Sequence, residues 1–230
     1  MIVYGRNPVR EALRGRRSVK RVWATANGAR EEWLAGVEVQ RVDDDELERL
    51  CGSPDHQGLC ADAGHYPYGD AAELLGDEQA LVVCLDQIQD PRNLGAICRV
   101  AECAGAAGVV IPERRSAEVT PVVCKASAGA VEHLPVARVR NIADWLGEAK
   151  RAGAWVYGAS ADGVPYAQPD YRGRVVLVLG SEGRGLRPRV SDACDELVAL
   201  PLRGRIESLN VSAAAAALVY GVLQFRAQAT

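Results

Sequence analysis

The residues best suited to chemistry in this chain lie between Leu200 and Ser212, in the run LPLRGRIESLNVS. Ser208 and Asn210 stand at the mouth of a long alanine-rich helical segment, just after a loop carrying Arg203 and Arg205. Capping a helix needs only one such side chain. The surplus of polar groups suits a site that holds a polar ligand. Two earlier segments have the same character: DPRNLGAICR, with Asn93 and Arg99, and LVLGSEGRGL, with Gly180 and Glu182.

The elements that must position these residues alternate between strand and helix. LVVCLDQI, AGVVIP, LPVARV, AWVYGAS, RVVLVLG and ELVALPL are apolar runs of strand length. Helical segments are expected around residues 94–104, 121–130, 142–151, 184–194 and 213–225. Near-continuous Val, Leu and Ile runs predict a parallel sheet covered on both faces. An open α/β sheet binds ligands outside the carboxyl ends of its strands, and all three polar segments follow strands. They can therefore converge on one crevice.

Ahead of this half the sequence predicts a smaller α/β unit. Asn7 and Pro8 read as the N-cap and first position of a helix that stops near Gly15, with Val9, Ala12 and Leu13 inward and Arg6, Arg10 and Arg14 outward. SVKRVWAT, GVEVQRV and QGLCADA read as strands and DDELERLC as a short helix. A Gly/Pro/Tyr joint at residues 64–69 sets the expected boundary between a domain at 1–68 and one at 69–230. The net charge is −3, yet Arg6, Arg10, Arg14, Arg16, Arg17, Lys20 and Arg21 crowd the start of the chain against Glu11 alone. Such a patch binds phosphates or forms a solvated helix face.

The remaining composition narrows the class. Seven scattered cysteines without CxxC spacing read as reduced thiols, with no metal site or disulfide framework. No signal-peptide core or membrane-length apolar run is present, so a cytoplasmic location is expected. A nicotinamide or ordinary methyltransferase fold would need a GxGxxG-like loop after the first strand of the large sheet, where this chain has DQIQDPRN. A GxxxxGK[ST] phosphate loop is also absent.

DPRNLGAICRVAECAGA, LVLGSEGRGL and LPLRGRIESLNVSAAAAAL, in this order, resemble the three motifs of the SpoU family of RNA ribose 2′-O-methyltransferases, which belong to the SPOUT class. GRNPVREAL and the later HQG at His56–Gly58 are similar to the RNA-binding domain, of ribosomal-protein L30e-like fold, that precedes the catalytic domain in ribosomal-RNA members. The resemblance implies an α/β SPOUT domain whose C-terminal segment, from about Gly180, threads a deep trefoil knot and forms the pocket for S-adenosylmethionine. It also implies a homodimer packed through the knot region, a role that the apolar segment Ala213–Phe225 fits. Two departures stand out: a very short helical stretch between ATANGAR and GVEVQRV, and the charged RGRIE in the third motif, with Arg203, Arg205 and Glu207.

The same resemblance assigns roles. Gly180, Leu200 and Leu209 would contact the cofactor, while Asn93, Arg99, Glu182, Ser208 and Asn210 would form the catalytic set. Arg99 would grip a phosphate beside the reacting ribose or, less readily for so weak a base, take the 2′-hydroxyl proton itself. Arg6, Arg10, Arg14 and Arg17 would bind RNA. The implied substrate is 23S ribosomal RNA, with a guanosine of the peptidyl-transferase region ahead of a resistance-type adenosine or a transfer-RNA ribose. A non-catalytic RNA-binding protein is the rival from another class.

Overall fold

The computed structural model describes residues 1–206 and 208–228, so Glu207 of the third motif lies outside the described residues. The chain builds two sheets in sequence. The first collects β1 (Ile2–Tyr4), β2 (Arg21–Ala24), β3 (Val39–Arg41) and β4 (Leu59–Asp62) in the order β1-β4-β2-β3, covered by α1 (Arg6–Arg14) and α2 (Asp44–Cys51). β4 runs antiparallel to both β1 and β2, whereas β2 and β3 are parallel. Asp43 caps α2 through its bond from Glu46 N, and Asp44, Asp45 and Glu46 fill the first turn, where the helix dipole favours negative charge. Between β2 and β3 the backbone makes only two short 3-10 turns, Gly28–Arg30 and Glu32–Leu34.

The second sheet has six strands in the order β10-β8-β9-β5-β6-β7, and every neighbouring pair is parallel. They are β5 (Leu81–Asp86), β6 (Gly108–Pro112), β7 (Val136–Val139), β8 (Trp155–Pro165), β9 (Val175–Gly180) and β10 (Glu196–Ala199). The central strands are buried on both faces, as their unbroken apolar runs require. α3 (Pro91–Cys103) packs on α4 (Pro121–Ala126) and α7 (Val211–Gln228), and α5 (Ile142–Arg151) packs on α6 (Pro188–Ala193).

Three local expectations are corrected. α1 starts at Arg6 after Gly5, not at Pro8 behind an Asn7 cap, because a proline is tolerated anywhere in a first turn whose N–H groups have no intrahelical partner. α4 stops at Ala126, where Ala128 and Gly129 take left-handed backbone conformations. α6 begins at Pro188 rather than near Arg184, since the intervening residues form a glycine turn.

The two sheets share one continuous buried cluster, which runs from Val3 and Val9 through Val123 and Val131 to Leu179 and Leu218. The joint is fastened to the second sheet: Tyr66 Oη donates to Val131 O at 2.9 Å, and Gly69 N donates to Val136 O at 2.9 Å. Burial pushes the thiols of Cys60, Cys98 and Cys194 up to about 12, so these are packing groups at neutral pH. Among the described residues no helix is long and apolar enough to cross a membrane. Among them no cluster of His, Cys, Asp or Glu could hold a metal ion.

Candidate active site

A cavity of about 640 Å³ opens at the carboxyl ends of β8, β9 and β10. Gly180, Leu200 and Leu209 all line it, together with Leu179 and Leu186, which make apolar walls. A further wall comes from Ala159, Ser160 and Ala161 in a part of β8 that leaves its partner. Leu197 of β10 pairs with Gly158, but Val198 already pairs with Val164, so the intervening residues of β8 bulge outward. Sequence reading missed this wall, because AWVYGAS carries no sign that its strand continues past a bulge.

The turn after β9 forms the floor. Ser181 and Gly185 exchange backbone hydrogen bonds of 3.1 and 2.9 Å, closing a loop around Glu182, Gly183 and Arg184. Gly180 faces the inside of that closure: a Cβ there would lie 2.1 Å from Gly185 C. Its missing side chain therefore admits the turn's own backbone, a more local reason than close approach of a ligand. The exit of the turn is pinned by Asp86, paired in register with Gly180 on the next strand. Asp86 accepts from Arg187 N at 3.0 Å and Arg187 Nε at 2.8 Å, and its carboxylate is fully buried. Sequence reading missed this pair; the only signal was an acid ending an otherwise apolar strand.

Three of the expected polar residues meet beside this floor. Asn93, buried in the first turn of α3, donates through Nδ2 to Glu182 Oε1. Asn210 Nδ2 donates to Asn93 Oδ1 at 3.1 Å and to Glu182 Oε1 at 3.3 Å. Asn210 Oδ1 meanwhile accepts from Ser212 N at 2.9 Å, an N-terminal capping bond for α7. One side chain thus starts the last helix and ties three distant segments together. Among the described bonds Glu182 uses only Oε1, and Ser208, exposed at the cavity wall, has no protein partner among the described residues.

Arg99 stands apart from that cluster. It leaves α3 six positions after Asn93, about 120° away around the helix axis. It is exposed, and no described residue holds it; the pair with Glu102 that helical spacing would allow is not formed. An exposed cation of this kind is available to an incoming anion.

The front arginines divide. Arg6 and Arg14 are exposed and Arg10 is half-buried, with Arg6 near Glu31 at 3.2 Å and Arg10 near Glu11 at 2.7 Å. Arg17 does not join them. Its guanidinium is buried in a bidentate pair with Glu132, over the Tyr66 ring, and donates to Cys124 Sγ at 3.6 Å. The expectation that Arg17 meets RNA is corrected, because a side chain 2% exposed has no surface left for a phosphate.

Comparison with known proteins places this geometry. The model of the SpoU rRNA methylase family matches residues 80–220, which include the whole cluster and cavity. The chain belongs to the SpoU rRNA methylase family. A second model, described as RNA 2′-O ribose methyltransferase substrate binding, matches residues 2–69 of this SpoU protein. YacO of Bacillus subtilis strain 168, assigned by name to the TrmH family of tRNA/rRNA methyltransferases, is 38% identical over 97% of this chain and 95% of its own. The SpoU methyltransferase AviRb from Streptomyces viridochromogenes, solved with AdoMet, superposes with a TM-score of 0.84 at 25% identity, covering 99% of this chain and 90% of its own. A TrmH/SpoU tRNA modifying enzyme of A. aeolicus superposes with a TM-score of 0.59 at 25% identity, over 68% of this chain and 80% of its own.

As a SpoU methylase the protein is an RNA methyltransferase whose cofactor is S-adenosylmethionine. The residues present fit that group: the cavity has the volume of a small-molecule site, apolar walls and a floor of backbone groups. The parallel α/β sheet is that of the SpoU neighbours, and the front domain and C-terminal knot are consistent with them.

Proposed function

We propose that this SpoU methylase transfers a methyl group to the 2′-hydroxyl of a ribose in RNA, and that its target is a guanosine in the peptidyl-transferase region of 23S ribosomal RNA. The observation that carries the reading is the Asn93–Glu182–Asn210 cluster on the wall of the cofactor cavity. The cofactor supplies a methyl group on a sulfonium. Gly180 shapes the turn under it, and Leu200 and Leu209 enclose it. Asn93 and Asn210 hold Glu182 by hydrogen bonds to one carboxylate oxygen, and with Ser208 they orient the acceptor hydroxyl. Arg99 grips the phosphate next to the reacting ribose and so holds that phosphate where one of its oxygens takes the 2′-hydroxyl proton. No protein nucleophile is needed, since the attacking atom is the RNA's own oxygen.

Residues 1–68 act as the RNA-binding domain and 69–230 as the catalytic domain, with Arg6, Arg10 and Arg14 on the RNA side. A ribosomal substrate is supported by the match of the substrate-binding model to residues 2–69 and by the neighbours that cover the front half, whereas the tRNA-modifying neighbour covers 68% of the chain. A homodimer is supported by α7, which leaves Ala213, Ala217, Tyr220 and Gln224 exposed at helical spacing along one face. The protein works in the cytoplasm.

The test is to map 2′-O-methyl sites in ribosomal and transfer RNA from cells with and without the gene. Loss of a single guanosine site in 23S RNA is the expected result. Loss confined to transfer RNA, or to an adenosine, would move the target. An unchanged map together with intact RNA binding would support a non-catalytic role.

A further inference from the structure

A second, smaller cavity of about 300 Å³ adjoins the first. The two share Ser181, Glu182 and Arg184, so the glycine turn forms their common rim. The far wall of the smaller one is the link between β5 and α3, with Gln87, Ile88 and Gln89. Its lining differs from that of the apolar cofactor cavity: Gln87 and Gln89 carry carboxamides, Asp90 and Glu182 carboxylates, and Arg184 is exposed at its edge.

We propose that this compartment is the subsite for the target nucleotide, with the Gln87 and Gln89 amides reading the edge of its base and Arg184 meeting its phosphate. The inference rests on the reading of the protein as an RNA ribose methyltransferase. Donor and acceptor must meet directly at a shared rim, and that rim carries Glu182, which is tied to both Asn93 and Asn210; a base held in this compartment leaves its ribose to cross the rim toward the cofactor cavity. A carboxamide offers both a donor and an acceptor, as the edge of a nucleobase demands. A compartment of this size admits one nucleoside but no duplex.

The backbone supports the assignment. Gln87 has φ +64°, a left-handed conformation that favours glycine, yet a glutamine stands there. The link is held from behind, where Ile88 O accepts from Ala117 N at 2.8 Å and Ser116 Oγ at 3.1 Å. An unfavourable backbone kept with a functional side chain and a rigid support is the pattern of a preorganised contact.

The position also supplies its own control, because Gln87→Gly removes the amide while relieving the backbone. The experiment uses the full chain saturated with S-adenosylhomocysteine and probes it with AMP, GMP, CMP, UMP and ribose 5-phosphate by saturation-transfer NMR. In the wild type, base protons of at least one nucleotide should be saturated, and the sugar phosphate alone should bind more weakly. In the Gln87→Gly/Gln89→Ala variant nucleotide binding should fall roughly tenfold, the scale of one or two missing hydrogen bonds, with a melting temperature no lower than that of the wild type. Affinity for S-adenosylmethionine should not change. Equal nucleotide binding in both proteins, or no base contact in the wild type, would overturn the proposal. Weakened cofactor affinity in the variant would give the compartment to the cofactor and overturn it as well. Methyl transfer to transcribed 23S RNA and to unmodified transfer RNA is scored separately: its absence in the wild type would refute the proposed activity, while the nucleotide titration still decides the subsite.

Discussion

Arg17 and Glu132 form a bidentate ion pair in the seam between the two sheets, with side chains 2% and 0% exposed. Removing one partner strands a charge away from water, at a cost of about 3–5 kcal/mol, whereas replacing both by apolar groups of similar volume is far milder. Arg17→Ala should therefore lower the unfolding free energy strongly, and Arg17→Met with Glu132→Leu should restore most of it. Urea titration of the three proteins measures this. A near-neutral Arg17→Ala would show that the seam is wet.

The exposed arginines answer a different measurement. Arg10→Ala with Arg14→Ala should weaken RNA binding and flatten its salt dependence by about 0.7–0.9 log units of slope for each phosphate that is no longer neutralised. Filter binding across a salt series reads the slope. Identical slopes for variant and wild type would make this helix face a solvated one. Melting temperature should move little, since among the described residues the ion pairs of both arginines are with Glu11 near the surface.

Asp86→Asn should loosen the glycine turn from behind. The buried carboxylate holds both the backbone and the guanidinium of Arg187, and a neutral amide gives up on the order of 1–3 kcal/mol of that. Isothermal titration should show weaker S-adenosylmethionine binding with unchanged RNA binding. Loss of stability with full cofactor affinity would mean that the pin does not shape the pocket.

Arg99→Ala should cut the methylation rate at least about a hundredfold while leaving cofactor affinity intact, the behaviour of a group that acts by positioning the reacting centre. Arg99→Lys should rescue little, because an ammonium lacks the planar fork. Single-turnover kinetics separates the two effects. A lysine variant with near-normal turnover would remove the phosphate contact from the mechanism.

Glu11 gives the protein an acid-sensitive contact. Burial acts to raise its carboxyl, but hydrogen bonds from His133 and Arg10 and the charges of Arg10 and Arg14 outweigh it and hold it below 4.5. Its stabilisation is present above the ordinary carboxylate range and is lost as pH falls through the lowered value. Unfolding free energies of wild type and Glu11→Gln should thus differ at pH 7, by a gap on the order of 0.5–1 kcal/mol, and converge in acid. A constant gap down to pH 3 would exclude this contact.

Much of the large sheet was legible, because strands buried on both faces must be apolar throughout; the helix expected around 142–151 is found at Ile142–Arg151, where the Asn141 side chain caps it. β1 escaped notice because three residues give no periodicity. The convergence of Asn93, Glu182 and Asn210 followed from strand ends, but the bonds among them depend on where α7 returns. Arg17 was misread for a physical reason: a short stretch of sequence shows its charge, while the partner that buries it lies more than a hundred residues away. Asp86 and Gln87 were hidden likewise, one by an apolar context and the other by a backbone angle that no composition reveals.

The buried cluster that runs unbroken through both sheets gives the chain a single cooperative fate. Where two halves share no core, each melts on its own and the link between them is open to cleavage. Here the joint residues are themselves part of the packing, so heat should take the molecule apart in one transition. The cost for evolution is that the RNA-facing half cannot be exchanged freely: any replacement must bring with it the apolar surface that the catalytic half leaves for it.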